Sequence, residues 1–322
     1  MIETRSRFST VLFVMAALLL PAFLLGQRGR PPRRIPNPST ILLKGGSRVE
    51  FKTFYSPAIG ETTRYSVLLP PSYDKNLKRA FPVVYFLHGL FNDDTSWCVD
   101  RYGNLPALIE QIIQSEQVPE FLMVHPNGEN SFYTDYADGS KKFEEYVRKD
   151  LIAEVEAHFR VKKERENRAI GGTSMGGYGA LKIAMKFPRL YASVAAGSPI
   201  ILLGEDPSAQ LTTGSTRTSQ FFSRIFAAVF GQPLDREHWK KNSIELLAQS
   251  APLTNLNICM LYGTADRYNG LVPMEKGIRR VDGILKRRGV PHQLKVYEGE
   301  PHGWALMSKH LKQTLQFLTQ TF

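Results

Sequence analysis

Gly172-Thr-Ser174-Met-Gly176 is the stretch of this chain most suited to chemistry. A serine with glycines two residues before and after it fits a sharp strand-to-helix turn. The crowded backbone leaves no room for side chains at the flanking positions, and the turn lifts the central hydroxyl above a sheet. Gly171 and Gly177 add further room. A helix that starts at this point offers free N–H groups and the positive end of its dipole to a developing oxyanion. A serine so placed becomes a nucleophile when a base removes its proton, and the base in turn needs an orienting carboxylate. On such a turn the chain order is serine, acid, histidine.

His302 is the base candidate, because Gly299-Glu-Pro-His-Gly-Trp304 forms a loop between the last strand and the last helix. His292 precedes that strand, His310 falls inside the final helix, His238 precedes the acid position and His158 precedes the serine, so these four read as structural. Asp266 follows the strand that ends near Tyr262, which is the place for the orienting carboxylate; Glu275 or Glu298 is the fallback. Two backbone N–H groups complete the set. Met175 follows the nucleophile, and Leu90 lies in the loop His88-Gly89-Leu90-Phe91, where Gly89 allows close backbone approach. His88 either touches substrate or packs at its strand end. This constellation specifies acyl transfer through a covalent serine intermediate.

The elements that must hold these residues alternate between strands and helices. Val49–Phe54 and Arg64–Leu69 predict an early antiparallel pair. Phe81–His88 and Glu120–His125 are continuous apolar runs that predict buried central strands. Arg168–Gly172, Tyr191–Ala196, Asn257–Tyr262 and Leu294–Tyr297 predict four more strands. Helical spacing appears over Leu105–Gln114, Lys142–Phe159, Tyr178–Phe187, Met274–Arg288 and Met307–Phe322. The alternation implies an α/β fold with a mostly parallel central sheet and helices on both faces. Residues 200–252 break the rhythm with a Ser/Thr/Gly-rich segment, an apolar patch and a polar helical run. They are either a pocket-covering insertion or structural filler. Phe221, Phe222, Phe226 and Phe230 fit an acyl or aryl pocket as well as core packing.

Composition narrows the function classes. With 322 residues, 43% of them hydrophobic, the chain can bury a large core, which excludes disorder as its main state. Two cysteines, Cys98 and Cys259, are too few for a disulfide scaffold. They read as free buried thiols, although export would permit a bridge. Arg5 and Arg7 before the apolar run Val11–Leu25, with Gly26 behind it, describe a signal peptide over residues 1–26. An uncleaved anchor is the alternative, against which Pro21 and the short run count. Residues 27–40 are a basic, proline-rich linker, and residues 41–322 form the catalytic domain. Of the net charge of +11, these first 34 residues carry +5, and the rest shows no Lys/Arg block of the density nucleic-acid binding requires. The expected location is secreted or periplasmic, with no stable membrane span after cleavage.

Five motifs carry a family resemblance: Phe86-Leu-His-Gly-Leu90 with Trp97 downstream, Phe132-Tyr-Thr-Asp-Tyr136, Gly171-Gly-Thr-Ser-Met-Gly-Gly-Tyr-Gly-Ala180, Gly263-Thr-Ala-Asp266 and His302-Gly-Trp304. In this order, over residues 50 to 320, they resemble the putative-esterase family of α/β-hydrolases, which includes esterase D-like enzymes, feruloyl esterases and the mycobacterial antigen 85 mycolyltransferases. The resemblance implies the α/β-hydrolase fold, nucleophile Ser174, acid Asp266, base His302, oxyanion amides from Leu90 and Met175, and neither metal nor cofactor. Two departures separate the branches. His88 and Phe91 stand where the mycolyltransferases carry an aspartate and an arginine for the sugar, and Phe91-Asn-Asp-Asp94 replaces the cysteine-containing loop of the formylglutathione hydrolases. The expected function is an exported serine carboxylesterase of feruloyl or acetyl-xylan type, acting on a small-molecule or polysaccharide-linked ester. An antigen 85-type acyltransferase and a non-catalytic cell-envelope carbohydrate binder are the alternatives.

Overall fold

The computed structural model describes residues 40–98, 104–211 and 217–322. The signal segment 1–26 and the linker up to residue 39 lie outside the described residues. The strands are β1 (Thr40–Leu42), β2 (Arg48–Ser56), β3 (Glu61–Leu69), β4 (Val83–Leu87), β5 (Leu122–Pro126), β6 (Arg168–Thr173), β7 (Ser193–Gly197), β8 (Asn257–Gly263) and β9 (His292–Tyr297). They form one sheet in the order β1-β2-β3-β5-β4-β6-β7-β8-β9. β1, β2, β3 and β5 pair antiparallel in sequence, and every pair from β5 through β4, β6, β7 and β8 to β9 is parallel. The parallel part leaves the loops after β4, β6, β8 and β9 at one end of the sheet.

β4 explains why its sequence is apolar without a break. Successive side chains of a strand point to opposite faces. Val83, Tyr85 and Leu87 enter one core cluster, and Val84 and Phe86 enter the other. The helices Leu105–Gln114, Trp304–Lys309 and Leu311–Leu318 contribute to the second cluster; Met175–Lys186, Met274–Arg287 and most of residues 143–159 contribute to the first.

Several elements differ from the sequence reading in extent. The helix expected over Lys142–Phe159 contains a π turn, Tyr146–Asp150, followed by Leu151–His158. The Asp150 carboxylate accepts from the Ser56 hydroxyl and the Ala58 N–H at that turn. Leu151 and Ile152, just after the π turn, are both buried. The final helix is two. Trp304–Lys309 starts at Gly303, whose φ of 75° suits glycine, and breaks at His310, whose ring stacks on Tyr297. The irregular 200–252 region carries four helices among its described residues, Ser208–Leu211, Arg217–Phe230, Arg236–Asn242 and Ile244–Ser250. Asp235 and Ser243 accept N–H groups at the starts of the last two. β1 has no counterpart among the expected strands; three residues with an exposed Leu42 carry no periodic signal. Cys98 and Cys259 are free thiols. Among the described residues, no helix is long and apolar enough to cross a membrane.

Candidate active site

Ser174 sits between β6 and the helix Met175–Lys186 with φ 59° and ψ −120°. A non-glycine residue held there costs about 1–3 kcal/mol, which the surroundings must impose. The glycines are what make the turn possible. A Cβ on Gly176 would lie 2.0 Å from the Leu87 carbonyl oxygen, and one on Gly172 would lie 2.4 Å from the Gly176 oxygen. The Ser174 N–H donates to the Gly197 carbonyl at 2.8 Å, and the Ser198 N–H donates to the Leu261 carbonyl at 2.7 Å. These two rungs tie the serine turn, through the end of β7, to the strand that leads to Asp266.

The loops after β8 and β9 are joined just as closely. The Thr264 and Ala265 N–H groups donate to the carbonyls of Tyr297 and Glu300, and the Gly299 N–H donates to the Thr264 hydroxyl. Gly263 is pressed so tightly against this second loop that a Cβ would lie 2.1 Å from the Glu300 oxygen. The result is contact between residues 36 positions apart: His302 Nδ1 meets Asp266 Oδ2 at 2.5 Å. A carboxylate only accepts, so the ring proton lies on Nδ1 and Nε2 is left as the basic nitrogen. The other oxygen, Asp266 Oδ1, accepts the Tyr268 N–H at 2.9 Å. Tyr268 also sets its ring edge against the imidazole, with centroids 4.7 Å apart. Asp266 is therefore buried and held by two donors, while His302 keeps some exposure.

The fallback acids are elsewhere. Glu275 accepts from the Tyr262 hydroxyl and from Arg279, and Glu298 is exposed. His292 pairs with Asp282, and His158 bonds the carbonyl of its own helix at Glu154. Among the described residues, the Ser174 hydroxyl and His302 make no hydrogen bond to each other; such bonds often close only when substrate is bound. No group of three or more His, Cys, Asp or Glu side chains among the described residues is placed to hold a metal ion.

The loop after β4 lies directly against the serine: a Cβ on Gly89 would be 3.3 Å from Ser174 Cβ and 3.4 Å from the Thr173 oxygen. The Phe91 N–H donates to Asn130 Oδ1 at 2.9 Å, whereas the Leu90 N–H has no protein acceptor among the described residues. The Met175 N–H is one of the first-turn donors that no helix can satisfy internally. Two N–H groups are thus unengaged beside Ser174. Of the two readings of His88 the structure supports packing: the ring is fully buried and bonds only to backbone. The phenylalanine group divides. Phe226 and Phe230 are core residues around Phe132 and Trp239, Phe222 is partly covered, and exposed Phe221 meets exposed Phe91 at 5.2 Å.

A family model described as putative esterase matches residues 56–318, most of the chain. The chain belongs to the putative esterase family. Its function is accordingly the hydrolysis of carboxylic esters. This esterase is 25% identical over 277 residues to an acetyl esterase of Caldicellulosiruptor saccharolyticus, an alignment covering 83% of this chain and 96% of the relative. It is 29% identical over 148 residues to an endo-1,4-beta-xylanase/feruloyl esterase of Xylanibacter ruminicola, covering 43% of this chain and 20% of that one. The solved structure of a ferulic acid esterase superposes with a TM-score of 0.69 at 24% identity, over 86% of the esterase and 98% of that chain. The fold is thus that of the α/β-hydrolases.

Tyr268, Tyr133 and Asn130 are the residues around the site that sequence reasoning did not single out. Each acts through a loop contact with no local pattern to announce it. Tyr133 and Asn130 do lie within or beside the Phe132–Tyr136 motif, which was legible only as a resemblance.

Proposed function

We propose that this esterase is an exported serine carboxylesterase in which Ser174 is the nucleophile, His302 the base and Asp266 its orienter. Ser174 Oγ attacks the ester carbonyl carbon while His302 Nε2 takes the hydroxyl proton. The carbonyl oxygen becomes an oxyanion that the Leu90 and Met175 N–H groups stabilise. Collapse breaks the bond to the alcohol oxygen, which leaves with the proton from His302, and the acyl group stays on Ser174. Water, deprotonated by His302, then releases the acid. Asp266 holds the tautomer and stabilises the imidazolium.

The observation that carries this reading is the 2.5 Å Asp266–His302 contact on loops tied to the strained Ser174 turn. The substrate class follows from two supports, relatives named acetyl esterase and feruloyl esterase and an exposed Phe91–Phe221 pair beside the oxyanion loop. An acetyl or aryl ester carried by a polysaccharide fits both. Export rests on Arg5, Arg7 and the apolar run Val11–Leu25. The test is turnover by residues 27–322 of p-nitrophenyl acetate, butyrate and octanoate, methyl ferulate and acetylated xylan, with Ser174→Ala in parallel. Serine-dependent turnover, strongest on acetyl or feruloyl esters, is expected. Undiminished turnover by Ser174→Ala would overturn the assignment.

A further inference from the structure

We propose that His88 is a positioning residue of the oxyanion hole: its imidazole clamps the Gly89 carbonyl, fixes the plane of the Gly89–Leu90 peptide, and so aims the Leu90 N–H at the substrate oxygen. This rests on the reading above, in which Leu90 is an oxyanion donor.

Two hydrogen bonds define the ring. The Gly128 N–H donates to His88 Nε2 at 2.9 Å. That nitrogen is therefore an acceptor and carries no proton. Burial pushes the imidazole pKa down to about 4, so the ring is neutral near pH 7 and its single proton must lie on Nδ1. Nδ1 faces the Gly89 carbonyl oxygen at 2.8 Å and donates to it. The two contacts admit one tautomer only.

The consequence lies in the peptide geometry. The Gly89 C=O and the Leu90 N–H belong to one planar trans peptide, and they point in opposite directions. Holding the oxygen on the His88 side therefore turns the N–H away from His88. The Asn92 N–H also donates to the Gly89 oxygen, at 3.3 Å, so His88 at 2.8 Å is the shorter of two restraints on a peptide that glycine at position 89 makes mobile.

His88 is itself held from the other side. Its own N–H donates to the Tyr133 hydroxyl at 2.9 Å, and the Tyr133 carbonyl accepts from Lys182 Nζ at 2.7 Å. Lys182 lies on the helix that Ser174 opens and is paired with Glu144 at 2.8 Å. Gly128 and Gly179 leave space for the Tyr133 ring; a Cβ on either would lie 2.2 or 2.7 Å from it. The oxyanion loop and the nucleophile helix are thus joined through Tyr133, with His88 as the last link.

The experiment compares His88→Asn, His88→Gln and His88→Leu by kcat and KM on p-nitrophenyl acetate. It also measures inhibition by phenylboronic acid, which forms a tetrahedral adduct on a nucleophilic serine, and melting temperature. Asparagine places an amide N–H near the Nδ1 position and keeps the donor to Gly89; glutamine reaches the Nε2 position and keeps the acceptor for Gly128. The Asn variant should stay within about tenfold of wild type, and Gln and Leu should lose about 10- to 100-fold in kcat with little change in KM, below the full loss of one oxyanion donor. Boronate affinity should fall in parallel. Folded Gln or Leu variants with wild-type kcat and boronate affinity, or a loss confined to KM, would overturn the proposal. Where Leu fails to fold, the Asn–Gln ranking decides, and Asn no better than Gln overturns it. Imidazole 15N shifts of the unmutated enzyme give a readout that needs no variant: a proton on Nε2 of His88 rejects the clamp. An enzyme that cleaves no ester would sink the functional reading, while the tautomer measurement would still report on the clamp.

Discussion

Two loops at the same end of the sheet each carry a histidine, and the two rings meet opposite surroundings. In the loop after β9, His302 keeps some exposure, and its Nδ1 meets a carboxylate. In the loop after β4, His88 is sealed from solvent, and both ring nitrogens meet backbone groups. Burial among neutral dipoles opposes the protonated form of the His88 imidazole. The second ring thus keeps one proton in one place, on Nδ1. What separates the two histidines is what faces their ring nitrogens.

The contrast can be broken most directly at the serine. Ser174→Ala should lower kcat by about 10⁶-fold, with His302→Ala close behind, because members of such a unit fail together. Both should melt within a few degrees of wild type, and a steady-state assay with an active-site titration checks this. Asp266→Asn should cost about 10⁴-fold by stabilising the wrong tautomer of His302. The structure sharpens this figure, since Glu275 is engaged with Tyr262 and Arg279 and Glu298 is exposed, so neither replaces the lost carboxylate. A loss of tenfold or less would mean that His302 has another partner.

The second loop predicts an acid effect on stability. The folded protein holds His88 neutral down to about pH 4, against an ordinary 6.5. Between these values the unfolded chain binds the proton and the folded one does not, so stability falls as pH drops through the window. His88 should account for roughly 3 kcal/mol of that fall by pH 4. Buried His125 acts in the same direction in wild type and variant alike. Thermal unfolding at pH 7 and pH 4.5 should therefore show a smaller acid loss for His88→Asn than for wild type. Equal losses would remove the distinction between the two histidines. The smallest expected effect is at the site mouth. Phe221→Ala should raise KM for methyl ferulate about two- to fivefold and leave p-nitrophenyl acetate unchanged, consistent with the loss of one exposed ring contact.

The serine turn was legible because its signal is local. Gly172, Ser174 and Gly176 lie within five residues, and the steric demand of the turn acts on those residues themselves. The same holds for β4, whose unbroken apolar run reports burial on both faces, and for the long alternation that implies a parallel sheet. Element boundaries were less legible where tertiary contacts set them, as at the π turn near Asp150 and at the His310 break. The four phenylalanines of the 221–230 helix show the limit well. Their types and spacing are compatible with core and with pocket, and the structure sends Phe226 and Phe230 to the first and leaves Phe221 at the surface beside Phe91.

By itself, the sequence determined the turn that presents Ser174, the order of strands and helices around it, and the loops that carry Asp266 and His302, since each follows from short-range sterics and from the periodicity of burial. Only the tertiary structure decided that Asp266 and not Glu275 or Glu298 meets His302, that His88 faces backbone and not solvent, and that Tyr133 joins the loop after β4 to the helix after Ser174. Apart from the bond between His88 and the adjacent Gly89, these are contacts between residues 36 to 49 positions apart in the chain. Their geometry is set by how strands pair and loops pack across the sheet, and no local pattern of residue types encodes it.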